Sequence, residues 1–157
     1  MEIPSPARVL VELQKTATRV HRMVIQSPLG RIFTALPGSN VFVLHTTGRN
    51  SGQHRQTPLS FTKDGDAFVV IASNGGSPRH PDWYLNLRAH PEAEVELGGT
   101  RTRVHAETVT GTDRVRLWRA AVLSYGGYAG YQKRASREIP VVRLIPVSGG
   151  ANGTASR

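Results

Sequence analysis

Three short stretches of this chain concentrate the residue types that bind anions or move protons: 45-HTTGRNSGQHR-55, 72-ASNGGSPRHPDWYLNL-87 and 125-YGGYAGYQ-132. In the first, glycines permit a tight turn whose N–H groups can converge. Arg49 and Arg55 add charged forks that match phosphate or carboxylate, and Ser51 and Gln53 add neutral hydrogen bonds. The Gly-Lys-Ser/Thr ending of a P-loop is missing. On pattern alone this stretch reads equally as an anion cradle or as a solvated Gly-rich turn. In the second, a strand end passes through a double-glycine loop into a helix start, where N–H groups can hold an anion. Trp83 there reads as core or as a wall for a flat ring. In the third, Tyr125, Tyr128 and Tyr131 recur every three residues and fall on one helical face. A phenol with a pKa near ~10 keeps its proton at neutral pH and can donate it. Tyrosines clustered among glycines point to a pocket lid more than to pure core.

Other chemistries find less support. His21, His45, His54, His80, His90 and His105 show no metal-ligand spacing such as H-E-x-x-H, and no serine lies in a G-x-S-x-G elbow. Cysteine is absent, which excludes disulfides and thiolate chemistry and fits a reducing cytoplasm. The net charge of +9, from 20 Lys and Arg against 11 Asp and Glu, suits an anionic partner. The arginines are dispersed and no nucleic-acid recognition motif is present, so specific nucleic-acid binding is not expected. At 157 residues and 38% hydrophobic content, one domain with one core is expected. No apolar run approaches the roughly 20 residues of a membrane span. Prolines and charges interrupt 1-MEIPSPARVLVELQKTATRV-20, unlike a secretory signal.

The elements that must position the three stretches are mostly strands. Residues 1–28 read as an amphipathic helix: Ser5-Pro6 starts it, and Leu10, Leu13, Ala17, Val20 and Val24 form its stripe. Its basic outer face is compatible with packing on the domain or with peripheral contact to an anionic membrane. Residues 29–147 form the main domain. Strands are expected at Val41–Thr46, Gln56–Thr62, Ala67–Ala72, Ala93–Leu97, Thr100–Thr110 and Val141–Ile145. Lys63-Asp64-Gly65-Asp66 and Gly98-Gly99 read as hairpin turns. A short helix runs from Pro81-Asp82 to about Ala89. A second follows Gly111-Thr112-Asp113, with Val115, Leu117, Trp118, Ala121 and Val122 as its apolar side. Residues 148–157 have linker composition and read as a disordered tail. About six antiparallel strands in so short a chain predict a mainly β, α+β fold: a split barrel that disposes of most sheet edges, flanked by helices.

In this order, 46-TTGRNSGQHRQTPL-59, 68-FVVIASNGGSPRHPDWYLNLRAHP-91, the Tyr-x-x-Tyr-x-x-Tyr segment and 138-EIPVVRL-144 resemble the deazaflavin-dependent nitroreductase family. The resemblance covers roughly Leu29 to Pro146. It implies a split-barrel, flavin-reductase-like protein that binds coenzyme F420, with FMN as the nearest alternative. It also implies hydride transfer from the reduced deazaflavin to a small-molecule acceptor: a quinone, nitroaromatic or enone. By position in the motifs, Arg49, Ser51, Gly52, Gln53 and Arg55 correspond to residues that hold the phosphate and acidic tail. Pro58, Ala72, Ser73, Trp83, Tyr84 and Asn86 correspond to those around the ring, with Tyr128 beside it. Tyr128 and Tyr131 would face the acceptor, Tyr125 would lie nearby, and a tyrosine or Ser73 would supply a proton. Split barrels often pair, so a homodimer is compatible with the resemblance. Asn50 and Asn74 depart from it, because relatives commonly carry lysine there, and Ser60 stands where an aromatic is sometimes found. These departures keep open a carrier that holds a deazaflavin, flavin or haem without turnover.

Overall fold

The computed structural model describes residues 40–148. The expected helix over 1–28, residues 29–39 of the expected barrel domain and residues 149–157 lie outside the described residues. Seven strands form one sheet: β1 (Val41–Thr47), β2 (His54–Ser60), β3 (Thr62–Asp64), β4 (Ala67–Ile71), β5 (Glu92–Leu97), β6 (Thr100–Thr108) and β7 (Val141–Pro146). Their order is β2-β1-β5-β6-β7-β4-β3, and every pair is antiparallel. Three helices accompany them: α1 (Asp82–Ala89), α2 (Gly111–Ser124) and α3 (Gly127–Arg134).

The expected strand over Gln56–Thr62 is in fact two, hinged at Phe61. Its N–H donates to the Asn40 carbonyl at 2.9 Å, and its ring stacks on Phe42 with centroids 5.1 Å apart. The two outermost strands of the sheet, β2 and β3, are therefore consecutive in sequence. The sheet curls into a half-barrel around Phe42, Leu44, Phe68, Val70, Val95 and Leu144. Period-2 alternation explains this inner face: in β1, Phe42 and Leu44 point inward.

A second cluster covers the other face of β4 and β7. Val69, Ile71 and Val141 pack there with Ile139 and with Leu117 and Ala121 of α2. This double cover is why β4 is buried at all five positions and reads as a continuous apolar run, without alternation. The apolar side predicted for α2 is narrower than expected. Leu117 and Ala121 are buried, Trp118 flanks them, and Val115 is 47% exposed. At 100° per residue, Val115 lies about 200° from Leu117 and cannot share its face. An ionic network fixes α2 to the sheet: Asp64 accepts from Arg116 at 2.9 Å and from Arg143 at 3.1 Å, and Arg143 also donates to Glu107 at 2.7 Å. Hydrogen bonds from Arg116 and Arg143 outweigh burial and hold the Asp64 carboxyl below its usual range.

Candidate active site

The loop between β1 and β2 is a self-bonded turn. The Gly48 N–H donates to the Gln53 carbonyl at 2.7 Å, the Gly52 N–H to the Gly48 carbonyl at 2.8 Å, and the Gln53 N–H to Ser51 Oγ at 3.2 Å. A Cβ at Gly48 would lie 2.7 Å from Ser51 Oγ and 3.3 Å from the Gln53 carbonyl oxygen, so a larger residue there would turn the Ser51 side chain aside. Arg49 leaves the loop sideways. Its main-chain N–H and its Nη1 both donate to Asn86 Oδ1, at 3.1 and 3.0 Å, and its Nη2 donates to Asp82 Oδ1 at 3.1 Å. The N–H groups of Gly48, Arg49, Gly52 and Gln53 are thus already used within the protein. Those four amides are therefore not available to an anion, and the side chains of Ser51, Gln53 and Arg55 are exposed beside them.

At the start of α1, Pro81 stands at the N-cap position without a side-chain hydrogen bond, and the Asp82 carboxylate in the first turn pairs with Arg49. Asn86, buried on α1, ties the first loop to this helix. Trp83 and Tyr84 point into the barrel core, 7% and 6% exposed, and the Tyr84 hydroxyl hydrogen-bonds Thr108 Oγ1 at 3.0 Å. Pro58 lies half-buried on β2, opposite Val43.

The second loop leaves β4 through Ala72, fully buried, and Ser73, half-buried. Asn74 takes a left-handed conformation (φ 45°) and its Nδ2 donates to the Arg79 carbonyl at 3.0 Å. Asn tolerates this region better than most residues. At Gly76 (φ 79°) the loop meets α3 so closely that a Cβ would lie 2.9 Å from the Tyr131 carbonyl oxygen.

The three tyrosine rings cluster, although Tyr128 and Tyr131 lie on α3 while Tyr125 precedes it with extended backbone at the end of α2. Tyr125 is edge-on to Tyr128 at 5.1 Å, and Tyr131 lies 6.1 and 6.3 Å from the other two rings. The hydroxyls of Tyr125 and Tyr131 are 3.2 Å apart. Tyr128 also packs beside Trp118, and the Arg134 guanidinium sits over the Tyr131 ring. Burial raises the Tyr128 phenol, and burial with the Tyr125 hydrogen bond pushes Tyr131 up to about 12. Both therefore stay protonated at neutral pH, as hydrogen-bond donors with a firmly held proton.

Two groupings escape the sequence motifs. Arg137 reaches back into the second loop and donates to four carbonyls: Ser77 through Nε at 3.2 Å, and Ala72, Ser73 and Arg79 through Nη2 at 3.1–3.2 Å. Its Nη1 is buried with no partner among the described residues. The closing motif 138-EIPVVRL-144 begins one residue downstream of it. On β1, the buried His45 contacts His54 through Nδ1 and Glu96 through Nε2, each at 2.8 Å. Among the described residues no group of three or more His, Asp or Glu is arranged to hold a metal. No helix among them is long and apolar enough to cross a membrane.

The residues present fit an anionic cofactor. Arg55, Arg79 and Arg134 have no carboxylate partner among the described residues, and neither do Arg88, Arg103 and Arg119, whereas Arg101, Arg114, Arg116 and Arg143 are paired. Arg55 stands on β2 just past the first loop, Arg79 in the second loop and Arg134 at the end of α3.

A curled antiparallel half-barrel flanked by helices is a flavin-reductase-like fold. A family profile described as F420H(2)-dependent quinone reductase matches residues 17–146. An F420H(2)-dependent quinone reductase of Mycobacterium tuberculosis is 42% identical over 130 residues, spanning 80% of this chain and 87% of that protein. Among solved structures, an F420-H2 dependent reductase matches at 35% identity and a TM-score of 0.62, covering 67% of this chain and 93% of that one. A domain-swapped dimer matches at 29% identity and a TM-score of 0.63, over 89% and 99% of the two chains. This chain belongs to the F420H(2)-dependent quinone reductase family. The fold, the oxidoreductase class and coenzyme F420 as the cofactor, all expected from the motifs, are borne out.

Proposed function

We propose that this chain holds reduced coenzyme F420 between its two loops and α1, and presents a quinone to it beneath the tyrosine helix. The observation that carries this reading is the joining of three separate motifs into one rim, through Arg49–Asn86 on one side and Gly76–Tyr131 on the other. Arg55, Ser51, Gln53 and the Gly52 turn receive the phosphate and acidic tail, with Arg49 fixing the loop. Ala72, Ser73, Pro58 and Asn86 border the ring, over a floor made firm by buried Trp83 and Tyr84. When bound, the reduced deazaflavin supplies a hydride to the acceptor. Tyr128 and Tyr131 close over that acceptor and exclude water. The Tyr125–Tyr131 hydroxyl pair holds a proton at hydrogen-bond reach of an incoming carbonyl oxygen, and solvent replaces that proton through the half-exposed Tyr125.

The test compares binding titrations of F420, FMN and FAD, followed by oxidation of reduced F420 with menadione and with a nitroaromatic. F420 is expected to bind most tightly and its oxidation to require the quinone. Absence of binding and turnover at high protein concentration would end the enzyme reading, and tight binding with no acceptor reduced would indicate a carrier.

We also infer pairing of two copies, because a relative at 29% identity is a domain-swapped dimer. Light scattering on the full chain decides it. Peripheral membrane contact through residues 1–28 is a separate proposal, supported by the basic amphipathic pattern. It is withdrawn if deleting them leaves liposome association unchanged.

A further inference from the structure

Arg137 is an expensive way to hold a loop. A half-buried guanidinium with no carboxylate partner among the described residues carries a desolvation cost that carbonyl hydrogen bonds only partly offset. Burial lowers its pKa accordingly, and one nitrogen, Nη1, has no partner among the described residues. Its four carbonyl acceptors belong to Ala72, Ser73, Ser77 and Arg79, the loop that carries the ring-side residues. Its own main chain is held from the opposite side. Gln132 of α3 donates to the Arg137 carbonyl at 2.8 Å and accepts from the Ile139 N–H at 2.9 Å. Arg137 is therefore a strut with one end on the tyrosine helix and the other on the Ser73 loop. Between those ends, Gly76 and Tyr131 touch backbone to backbone.

We infer that Arg137 is a positioning residue for the reaction: its guanidinium sets the spacing between the Ser73 loop and the tyrosine helix, and hence between ring and acceptor. The inference rests on the functional reading above. A planar fork can bond carbonyls from several directions at once, and a lysine ammonium on a flexible stem cannot hold them in the same relative places. Misplacement of reacting groups by about 1 Å can cost on the order of a hundredfold in rate without preventing binding.

The test uses the full chain with Arg137→Lys and Arg137→Ala. Affinity for oxidised F420 is expected to stay within about threefold, because the anionic tail is assigned to the first loop. The kcat with menadione is expected to fall on the order of tenfold to a hundredfold, and millimolar free guanidinium to restore part of the Arg137→Ala loss. Amide exchange should quicken together over 72–79 and 127–134 and stay unchanged over 41–47. Wild-type kcat in Arg137→Lys overturns the inference. So does quickened exchange across the whole sheet with no rescue, which would make Arg137 a residue of stability alone. If the wild type itself neither binds F420 nor reduces quinone, the functional reading fails. The exchange pattern then still judges the strut: coordinated quickening supports it and unchanged exchange refutes it.

Discussion

One oxygen of Asn86 receives both the main-chain N–H and the guanidinium of Arg49. The first loop is thereby fixed to α1 through a single buried side chain. Asn86→Ala should release the loop and leave its N–H and guanidinium without their acceptor. F420 affinity is expected to weaken by about 1–3 kcal/mol. Asp82→Ala, which removes a largely exposed ion pair, should cost under about 1 kcal/mol. Equal affinities for Asn86→Ala and wild type in a fluorescence titration would show that the loop holds its shape unaided.

The two asparagines that replace lysines differ in kind. Asn50 is exposed at the tip of the first loop, and among the described residues no side-chain bond holds it. Asn50→Lys should tighten F420 binding several-fold at low salt, an advantage that added salt removes. Asn74 spends its amide on the Arg79 carbonyl and its backbone in left-handed space. Asn74→Lys is expected to bring no gain, because the added charge comes with a loosened loop. The two variants titrated side by side, at low and high salt, check both expectations.

Gly76 and Gly75 separate backbone strain from collision. Both have positive φ, but a Cβ at Gly75 meets nothing, while one at Gly76 strikes the Tyr131 backbone. Gly75→Ala should cost about 1 kcal/mol of stability. Gly76→Ala should cost about 1–3 kcal/mol more and should also lower turnover, since α3 must move away. Thermal melts and kcat for the two variants are the measurements; identical melts would mean that α3 shifts freely.

Acid should weaken the fold through His45. Burial lowers its pKa more than the Glu96 hydrogen bond raises it, so the folded imidazole is neutral where the unfolded one is protonated. The unfolded chain then binds the extra proton, and stability, complete above about pH 6.5, falls as pH drops towards the lower folded value. In the folded state the neutral ring donates from Nε2 to ionised Glu96 and accepts at Nδ1 from His54. His45→Gln should flatten the melting temperature between about pH 7 and about pH 5. A wild-type slope that survives the substitution would assign it to other groups.

Local grammar made much of this legible. Hairpins at Gly65 and Gly98-Gly99 fall where the turn residues stand, and those glycines do take positive φ. The Tyr-x-x-Tyr-x-x-Tyr spacing marks a cluster of three rings, though Tyr125 joins it from the end of α2 and not from α3 itself. The bend at Phe61 was hidden because Gln56–Thr62 alternates smoothly through it; only closure of the sheet demands a hinge there. The spent amides of the first loop were hidden because their acceptors include Asn86, a residue of another element. Arg137 was invisible for the same reason at longer range. Its four acceptors lie 58–65 residues upstream, and a lone arginine before a strand carries no local signal.

The sheet order bears on how the chain reaches this state. Only β1–β2, β3–β4 and β5–β6 are hairpins; β1 must wait for β5, and β4 for β7. Such non-local pairings make closure slow relative to the hairpins. The tyrosine helix precedes β7 in the chain, yet its strut at Arg137 is placed only once β7 has docked beside β4. The link between the Ser73 loop and the tyrosine helix is thus among the last parts to assemble, and a nascent chain released before Val141 holds all three stretches without the means to bring them together.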